Sequence, residues 1–194
     1  MINNNWKKFA EATKNRKPVG FLVEAVEKIG VPPGCALDLG CGAGVDAKYL
    51  AEKGFNVEAV DLSADCIKQT KITCDGLGVE IIKKDVSKFA IEKEKYSVIL
   101  SWNLLSFLKK RDTNKVFKNI RNGLTSGGAF VFSIFGPEDA FAKTKADMSF
   151  WNVADFKKAM SGLKFIKILE VKEEKTGVTG ITKFWHLIQG IMIK

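Results

Sequence analysis

Three carboxylates and one glycine loop are the residues of this sequence whose types and spacing point to chemistry. Asp38 stands two residues before the loop "GCGAG", which occupies positions 40–44. Two further carboxylates, Asp61 and Asp85, end later apolar segments, in "VEAVDLS" and "IIKKDVS". Glycine allows a ligand to approach the backbone closely, and carboxylates accept hydrogen bonds and attract cations. The pattern therefore predicts a ligand that carries hydrogen-bond donors and a positive charge.

The spacing of the glycines separates two kinds of nucleotide ligand. Gly40, Gly42 and Gly44 form the pattern G-x-G-x-G. A dinucleotide fingerprint needs a glycine or alanine three residues after the second glycine, where this chain has Val45. A carboxylate at Asp38 would also repel a pyrophosphate. A nicotinamide-dependent dehydrogenase is therefore disfavoured, and an adenosine with a cationic, amino-acid-bearing tail fits better.

Each carboxylate has a role in binding such a ligand. Asp61 follows Gly40 by 21 residues, the usual offset for a carboxylate that accepts hydrogen bonds from both ribose hydroxyls. Asp85 can accept from the adenine amino group, which only donates, and Asp38 can hold the ammonium group of the tail, directly or through water. Taken singly, Asp61 can instead cap the helix that begins after Ser63, and Asp85 can be a turn residue.

The elements that position these residues alternate between strand and helix. Apolar or alternating segments predict strands at 35–39, 55–60, 79–84, 96–100 and 129–135. Strands that are apolar throughout indicate a parallel sheet with helices on both faces. The segments 164–171 and 181–193 have no helix between them and form a hairpin-like pair, so we expect the sheet to end with an antiparallel strand. Two further helices, roughly 3–14 and 18–29, are predicted ahead of the first strand.

Five segments in order along the chain resemble the successive motifs of class I S-adenosylmethionine-dependent methyltransferases: "ALDLGCGAG", "VEAVDLS", "KKDVS", "YSVILSWNLLSFL" and "TSGGAFVFS". The resemblance implies a Rossmann-like, doubly wound α/β fold with a seven-stranded sheet of order 3-2-1-4-5-7-6, in which strand 7 is antiparallel. It also implies S-adenosyl-L-methionine as the cofactor and S-adenosyl-L-homocysteine as the product. Within the superfamily, "YSVILSWNLLSFLKK" is most similar to the small tellurite-resistance and thiol-methyltransferase-like branch.

The motif positions predict which residues contact the cofactor. They are Asp38, Gly40, Cys41, Gly42, Gly44, Asp61, Leu62, Asp85, Val86, Ser101 and Trp102. Methyl transfer from a sulfonium is an in-line displacement, so the protein mainly positions the acceptor and excludes water. A thiolate or another soft anion needs no general base, whereas a hydroxyl, an amine or a carbon acid does. The sequence assigns no catalytic residue.

The methyl acceptor is expected beyond the fourth strand, near "SWNLLSFL" at 101–108. Enzymes of this superfamily that methylate adenine or glutamine amino groups carry an Asn- or Asp-Pro-Pro-aromatic motif here, and its absence counts against those substrates. The long connection 136–151 is predicted as a lid, beside an N-terminal helical cap at 1–30. An ordinary surface loop, and packing roles for Trp102 and His186, are the alternatives. The predicted substrate pocket consists of Trp6, Phe9, Asn103, Phe107, Trp151 and His186.

Composition and charge limit the class of protein and its partners. A chain of 194 residues suits one domain, 1–194. The net charge is +9, from 31 basic and 22 acidic residues, but the lysines are mixed with glutamates and resemble an ordinary charged surface. Because no added recognition domain is predicted, a small-molecule methyl acceptor is preferred. An RNA or protein methyltransferase and a non-catalytic cofactor-binding module are the alternatives, and the oligomeric state stays open.

The N-terminus and the cysteines bear on the cellular compartment. The start "MINNNWKKF" lacks the apolar core of a signal peptide, and no apolar run approaches the ~20 residues of a membrane span. We therefore expect a cytoplasmic protein without a membrane partner. The four cysteines form no C-x-x-C pair, so we expect reduced, apolar side chains and no metal site. They are Cys35, Cys41, Cys66 and Cys74.

Overall fold

A seven-stranded sheet forms the centre of the protein, in a computed structural model that describes residues 5–194. The strand order is β3-β2-β1-β4-β5-β7-β6, which confirms the predicted topology. β1 to β5 pair in parallel, and β7 runs antiparallel to both of its neighbours. The strands are β1 (Cys35–Leu39), β2 (Asn56–Asp61), β3 (Glu80–Lys83), β4 (Tyr96–Trp102), β5 (Leu124–Phe135), β6 (Lys164–Thr176) and β7 (Thr182–Ile193).

Helices cover both faces of the sheet, as the apolar strands predicted. On one face Phe117 and Phe156 pack with Phe132 of β5 in a single apolar cluster. On the other, Leu22 and Leu50 pack with inward residues of β1, β2 and β4. None of the helices found between residues 5 and 194 is both long enough and apolar enough to cross a membrane. They are α1 (Asn5–Thr13), α2 (Gly20–Val23), α3 (Val45–Glu52), α4 (Ala64–Thr73), α5 (Lys110–Gly123) and α6 (Val153–Ala159).

The N-terminal segment agrees with the two helices predicted there. α1 corresponds to the prediction for 3–14, of which positions 3 and 4, like the first residues of the predicted cap, lie outside the described residues. α2 continues into one turn of π-helix, Glu24–Lys28, and the two together correspond to 18–29. α1 packs against α4 and so lies near the glycine loop.

The C-terminal hairpin is longer than predicted. β6 continues to Thr176, five residues beyond the predicted end at 171, and pairs with β7 from Lys164↔Ile193 to Thr176↔Thr182. The charged stretch 172–175 belongs to the segment "KEEKTGVTG", which the sequence predicts as the hairpin connection. Pairing with β7 nevertheless satisfies its backbone groups, while its side chains stay in solvent.

Candidate cofactor and acceptor site

The glycine loop crosses the carboxyl ends of β1 and β2. The amides of Gly40 and Cys41 both donate to the carbonyl of Val60, at 2.8 and 3.1 Å. Gly40, Gly42 and Gly44 have φ values of +78°, +55° and +80°, which non-glycine residues rarely adopt. A Cβ at Gly44 would lie 2.8 Å from the Thr70 side chain. The loop therefore requires its glycines both for backbone conformation and for close packing on α4.

Asp38 is a buried carboxylate beside this loop. The residue is 2% exposed, and its Oδ2 finds no hydrogen-bond partner within residues 5–194. Burial raises the pKa of Asp38 well above its usual range, nearby Asp46 and Asp61 raise it further, and Arg16 opposes them. A buried acceptor without a partner costs about 1–3 kcal/mol. A ligand ammonium placed there would satisfy the oxygen and supply the missing positive charge.

Asp61 is held in place by backbone amides at the end of β2. Its Oδ1 accepts from the amide of Ser63 at 2.8 Å, and its Oδ2 accepts from the amide of Gly42 at 3.0 Å. Burial raises the pKa of Asp61, while these amides act in the opposite direction. Since each carboxylate oxygen can accept a second hydrogen bond, Asp61 keeps the capacity to receive two ribose hydroxyls. Ser63, rather than Asp61, caps α4 by accepting from the amide of Cys66.

The predicted adenine side of the site is partly exposed. Asp85 uses one oxygen, Oδ1, to accept from the amide and the hydroxyl of Ser87, at 2.9 and 2.7 Å. It thus serves as a turn residue while its second oxygen remains for a ligand amino group. Leu62 is 63% exposed, whereas Val86 is buried. An exposed leucine and a half-buried carboxylate suit a planar, partly apolar ring.

Three further predicted cofactor residues lie at the same edge of the sheet. Ser101, at the end of β4, is fully buried, and its hydroxyl lacks a partner anywhere in the part of the chain from 5 to 194. Trp102 is half-buried and packs on Phe21 of α2, with ring centroids 5.8 Å apart. Cys41 is buried and its Sγ contacts the Thr70 hydroxyl. Burial raises the pKa of the Cys41 thiol well above its usual range, so it stays protonated.

Four of the residues predicted for the substrate pocket lie around the glycine loop and the segment after β4. Trp6 contacts both Phe9 and Phe107 edge-to-face, with centroids 5.8 and 5.5 Å apart. The Phe9 ring lies over the loop, since a Cβ at Gly42 would be 3.1 Å from it. Asn103 follows Trp102 directly, at the start of this segment. These aromatic rings form an apolar cover next to the cofactor residues.

Trp151, which the sequence predicts for the substrate pocket, lies in a packed environment, and its assignment to the pocket stays a prediction. The residue is 3% exposed and lies in the core, against Phe117 of α5 with centroids 5.0 Å apart. The ammonium of Lys110 stands 3.4 Å from the centre of its ring. Trp151 therefore anchors the end of the 136–151 segment beneath α5 and α6, because that is where its large apolar surface is covered.

His186, also predicted for the substrate pocket, has both of its ring nitrogens engaged within the fold. Nδ1 accepts from the amide of Glu138 at 3.1 Å, so the neutral ring carries its proton on Nε2, which faces Glu170 at 2.7 Å. The residue is 2% exposed, and its ring fills the space beside Gly136. This is the structural role that the sequence left open. The ring is not available to an acceptor.

Sequence reasoning missed a set of polar residues that support the site. Asp46, at the start of α3, accepts from Arg16 and from the amide of Val19 at 2.8 Å, and thereby ties the N-terminal segment to the helix after the glycine loop. Ser133 and Gln189 lie beside Asn103 across β5 and β7. Their only signal in the sequence is that each is a polar residue in an apolar strand.

Comparison with known proteins agrees with this geometry. Residues 36–128 match the methyltransferase domain family. The chain is 28% identical over 129 residues to YqeM of Bacillus subtilis (strain 168), provisionally assigned to the methyltransferases, covering 60% of this chain and 52% of that protein. It is 30% identical over 137 residues to the sarcosine/dimethylglycine N-methyltransferase of Halorhodospira halochloris, covering 69% of this chain and 48% of the relative. The chain thus spans about half the length of the curated relatives it matches.

Solved structures show the same fold. The crystal structure of TehB from Haemophilus influenzae superposes with a TM-score of 0.79 at 21% identity, covering 97% of this chain and 67% of that one. The matched domain and the shared fold support the predicted resemblance to class I S-adenosylmethionine-dependent methyltransferases. The expected cofactor, S-adenosylmethionine, is confirmed with it. The narrower resemblance to the tellurite-resistance and thiol branch stays a prediction, because the TehB likeness is one of fold.

Proposed function

We propose that this protein methylates a small-molecule acceptor by in-line transfer from S-adenosylmethionine. The observation that carries the proposal is the buried Asp38 carboxylate beside the glycine loop, with an oxygen that no residue in 5–194 satisfies. When bound, the cofactor supplies a methyl group already activated on a sulfonium. Asp38 then holds the ammonium, Asp61 receives the ribose hydroxyls, and Asp85 receives the adenine amino group.

The aromatic cover favours a small acceptor. Trp6, Phe9 and Phe107 form a compact wall of apolar rings beside the segment that follows β4. Such a wall excludes water and can face a sulfonium, since aromatic faces attract cations. The Halorhodospira halochloris relative is named for methylation of sarcosine and dimethylglycine, which are small molecules. The acceptor of this chain is proposed to be of similar size and to bind between the wall and Asn103.

The predicted lid is fixed at both ends. Asp139 is fully buried near the start of the 136–151 segment. The amide of Ser149 donates to the carbonyl of Ser106 at 2.9 Å, and its hydroxyl lies 2.9 Å from that of Thr113. The proposal therefore confines any closing movement to 140–148. Phe9 of α1 and Leu104 lie directly against the glycine loop, so they border the site proposed for the cofactor tail.

Asp61→Ala tests the cofactor part of this proposal. Removing the carboxylate deletes two hydrogen bonds to a charged group, and we expect affinity for S-adenosylmethionine to fall about a hundredfold or more in calorimetry. Asp65→Ala is the matched control, because Asp65 is an exposed carboxylate in the first turn of α4. Wild-type protein that does not bind the cofactor would overturn the proposal.

An acceptor screen tests the reaction itself. Release of S-adenosylhomocysteine is measured with thiols, selenite and tellurite species, amines and RNA. Turnover of a small molecule supports the proposal, whereas tight cofactor binding without turnover of any of them indicates a non-catalytic module.

One observation favours RNA as a second candidate substrate. α5 begins close after the predicted acceptor segment and exposes Lys110, Arg111, Lys115 and Lys118, with Asp112 as its only acidic residue. Clustered basic side chains bind phosphate backbones, and such binding weakens steeply with salt. RNA binding that falls with rising salt and depends on Lys115 and Lys118, together with RNA methylation, would favour this candidate over a small molecule.

A further inference from the structure

Asn103 occupies a strained backbone position at the acceptor side of the site. Its φ is +56°, in the left-handed region that favours glycine. Its amide donates to the carbonyl of Ser133 at 3.2 Å, and the next residue, Leu104, packs against Gly40 of the glycine loop. Strain of this kind persists only where the surroundings fix it, and it concentrates at functional sites. The fold therefore holds this asparagine where β4 ends.

A hydrogen-bonded relay across three strands orients the Asn103 side chain. Ser133 on β5 stands between Trp102 of β4 and Gln189 of β7 in the sheet register. Nε2 of Gln189 donates to the Ser133 hydroxyl at 3.3 Å, and that hydroxyl donates to Oδ1 of Asn103 at 2.5 Å. The amide oxygen Oδ1 of Asn103 only accepts, so the Ser133 proton points to it, while the Ser133 oxygen accepts from Gln189.

The relay leaves the Asn103 amide nitrogen as the free end of the side chain. Oδ1 is occupied by Ser133, so Nδ2 with its two protons is the group that remains. It donates to none of the residues from 5 to 194 and, unlike the Ser101 hydroxyl, it is not closed off from solvent. An amide NH₂ only donates. The group it can bind must therefore bring lone pairs.

We infer that Asn103 recognises a carboxylate on the methyl acceptor, and that Ser133 and Gln189 are positioning residues for it. The inference rests on the proposed function and adds a substrate class to it. A negative charge would suit this place, because a bound S-adenosylmethionine would bring a sulfonium, and the proposed roles of Asp38 and Asp61 are to hold its ammonium and ribose. A site built to hydrogen-bond one group rejects analogues that lack it, so the acceptor should lose affinity when its carboxylate is neutralised.

The first experiment measures binding without turnover. The side-chain NH₂ signals of Asn103 are assigned in nitrogen-15 NMR spectra by their loss in Asn103→Asp. Protein saturated with S-adenosylhomocysteine is then titrated with acetate, glycine, sarcosine and 3-mercaptopropionate, and with the amide of each. We expect saturable shifts of these signals in the millimolar range with at least one carboxylate and not with its amide. Signals that respond to none of the carboxylates, or equally to the amides, overturn the inference.

The second experiment tests the relay. Gln189→Glu keeps the shape of residue 189 but makes it an acceptor, so the Ser133 proton turns away from Asn103 and releases its amide. We expect at least tenfold weaker binding of the responding carboxylate, or a tenfold higher acceptor KM with an unchanged kcat, and unchanged affinity for S-adenosylhomocysteine. Gln69→Glu, the same change on α4, where the side chain donates to Thr73, should have no such effect.

Two further outcomes separate the possible failures. Ser133→Ala should weaken carboxylate binding in the same way, and Ser133→Thr, which restores the hydroxyl, should recover it. Equal effects of Gln189→Glu and Gln69→Glu, or parallel losses of both ligands, would show a merely structural role. If S-adenosylhomocysteine itself does not bind, the proposed function fails. If it binds while Asn103 stays silent, only the inference about the acceptor fails.

Discussion

Two buried carboxylates at the carboxyl edge of the sheet differ in how they are satisfied. Asp38 on β1 is 2% exposed and has an oxygen without a partner among the described residues. Asp139, after β5, is fully buried, forms an ion pair with Lys183 and accepts from the amides of Phe141 and His186 at 3.0 and 3.2 Å. A buried charge is costly unless it is paired. The difference favours the proposed role of Asp38 as a ligand group, whereas Asp139 is satisfied within the fold.

The surroundings of Lys183 reinforce this distinction. Its ammonium stands 3.7 Å from the ring centre of Trp185 and 4.2 Å from that of Phe141. Burial lowers the pKa of Lys183, while the hydrogen bond to Asp139 acts against that shift. The Asp139 carboxylate and the faces of the two aromatic rings thus stabilise the positive charge of Lys183. This region joins the start of β7 to the segment that follows β5, and leaves no charge for a ligand.

Of the substitutions that test this difference between Asp38 and Asp139, Lys183→Ala is expected to have the largest effect. Removing one partner of a buried ion pair leaves Asp139 uncompensated and should lower the free energy of unfolding by about 3–5 kcal/mol, measured by urea denaturation. Lys172→Ala is the control, since Lys172 pairs with Glu138 on the surface and should change stability little. If both substitutions lowered the free energy of unfolding by the same small amount, the Asp139–Lys183 pair would not have the structural role assigned to it.

Unlike Lys183→Ala, Asp38→Asn is expected to weaken cofactor binding rather than to lower stability. The amide keeps the shape but loses the charge, so affinity for S-adenosylmethionine should fall about ten- to hundredfold, as for a lost hydrogen bond between charged groups. Stability of the ligand-free protein should stay the same or rise, because a buried charge is removed. Calorimetry and urea denaturation give the two values. A loss of stability like that of Lys183→Ala would mean that Asp38 is a structural group.

His186→Ala tests whether His186, whose amide donates to Asp139, has a structural role rather than a role in turnover. Loss of the hydrogen bond from the Glu138 amide should lower the free energy of unfolding by about 1 kcal/mol, with some added cost for the space left beside Gly136. Cofactor affinity and the rate of S-adenosylhomocysteine release should not change. A large loss of turnover with intact cofactor affinity would instead return His186 to the substrate pocket.

The smallest expected effect is a dependence of folding stability on pH that arises from the ionisation of Asp38. Because its pKa is raised in the folded state, the folded protein keeps a proton that the unfolded chain releases once the pH exceeds the ordinary aspartate range. Its contribution to stability is complete below that range and is lost as the pH rises through the raised pKa. The stability of Asp38→Asn relative to wild type should therefore increase with pH. A pH-independent difference would contradict the raised pKa.

Much of the fold follows from local patterns. The apolar runs predicted the strands to within a few residues, with the exceptions of the start of β5 and the end of β6. At 172–176, charged residues join β6 because β7 satisfies their backbone groups. At Leu124–Gly128, the pairing with β4 is irregular, and Gly127 and Gly128 bond to Lys194 instead. Local propensity is weak evidence where such pairing between distant segments decides.

Part of the candidate site likewise follows from local patterns, and part depends on contacts between distant segments. The glycine loop with Asp38, and the turns with Asp61 and Asp85, follow from short motifs whose spacing is local. Asn103 was predicted near the acceptor, but its relay to Ser133 and Gln189 depends on the order of β4, β5 and β7 in the sheet. A single sequence carries no signal for which polar residues of separate strands will meet.

The sequence by itself determined the cofactor chemistry, because left-handed glycines and strand-end carboxylates are specified by residue type and short spacing. Only the tertiary structure decided which buried polar groups are paired. In the folded protein Trp151 lies in the core, both ring nitrogens of His186 have hydrogen-bond partners, and Asp139 pairs with Lys183. Asp38, in contrast, has an oxygen without a partner among the described residues. Burial and pairing arise from contacts between elements far apart in the chain, so they appear only when the fold is complete.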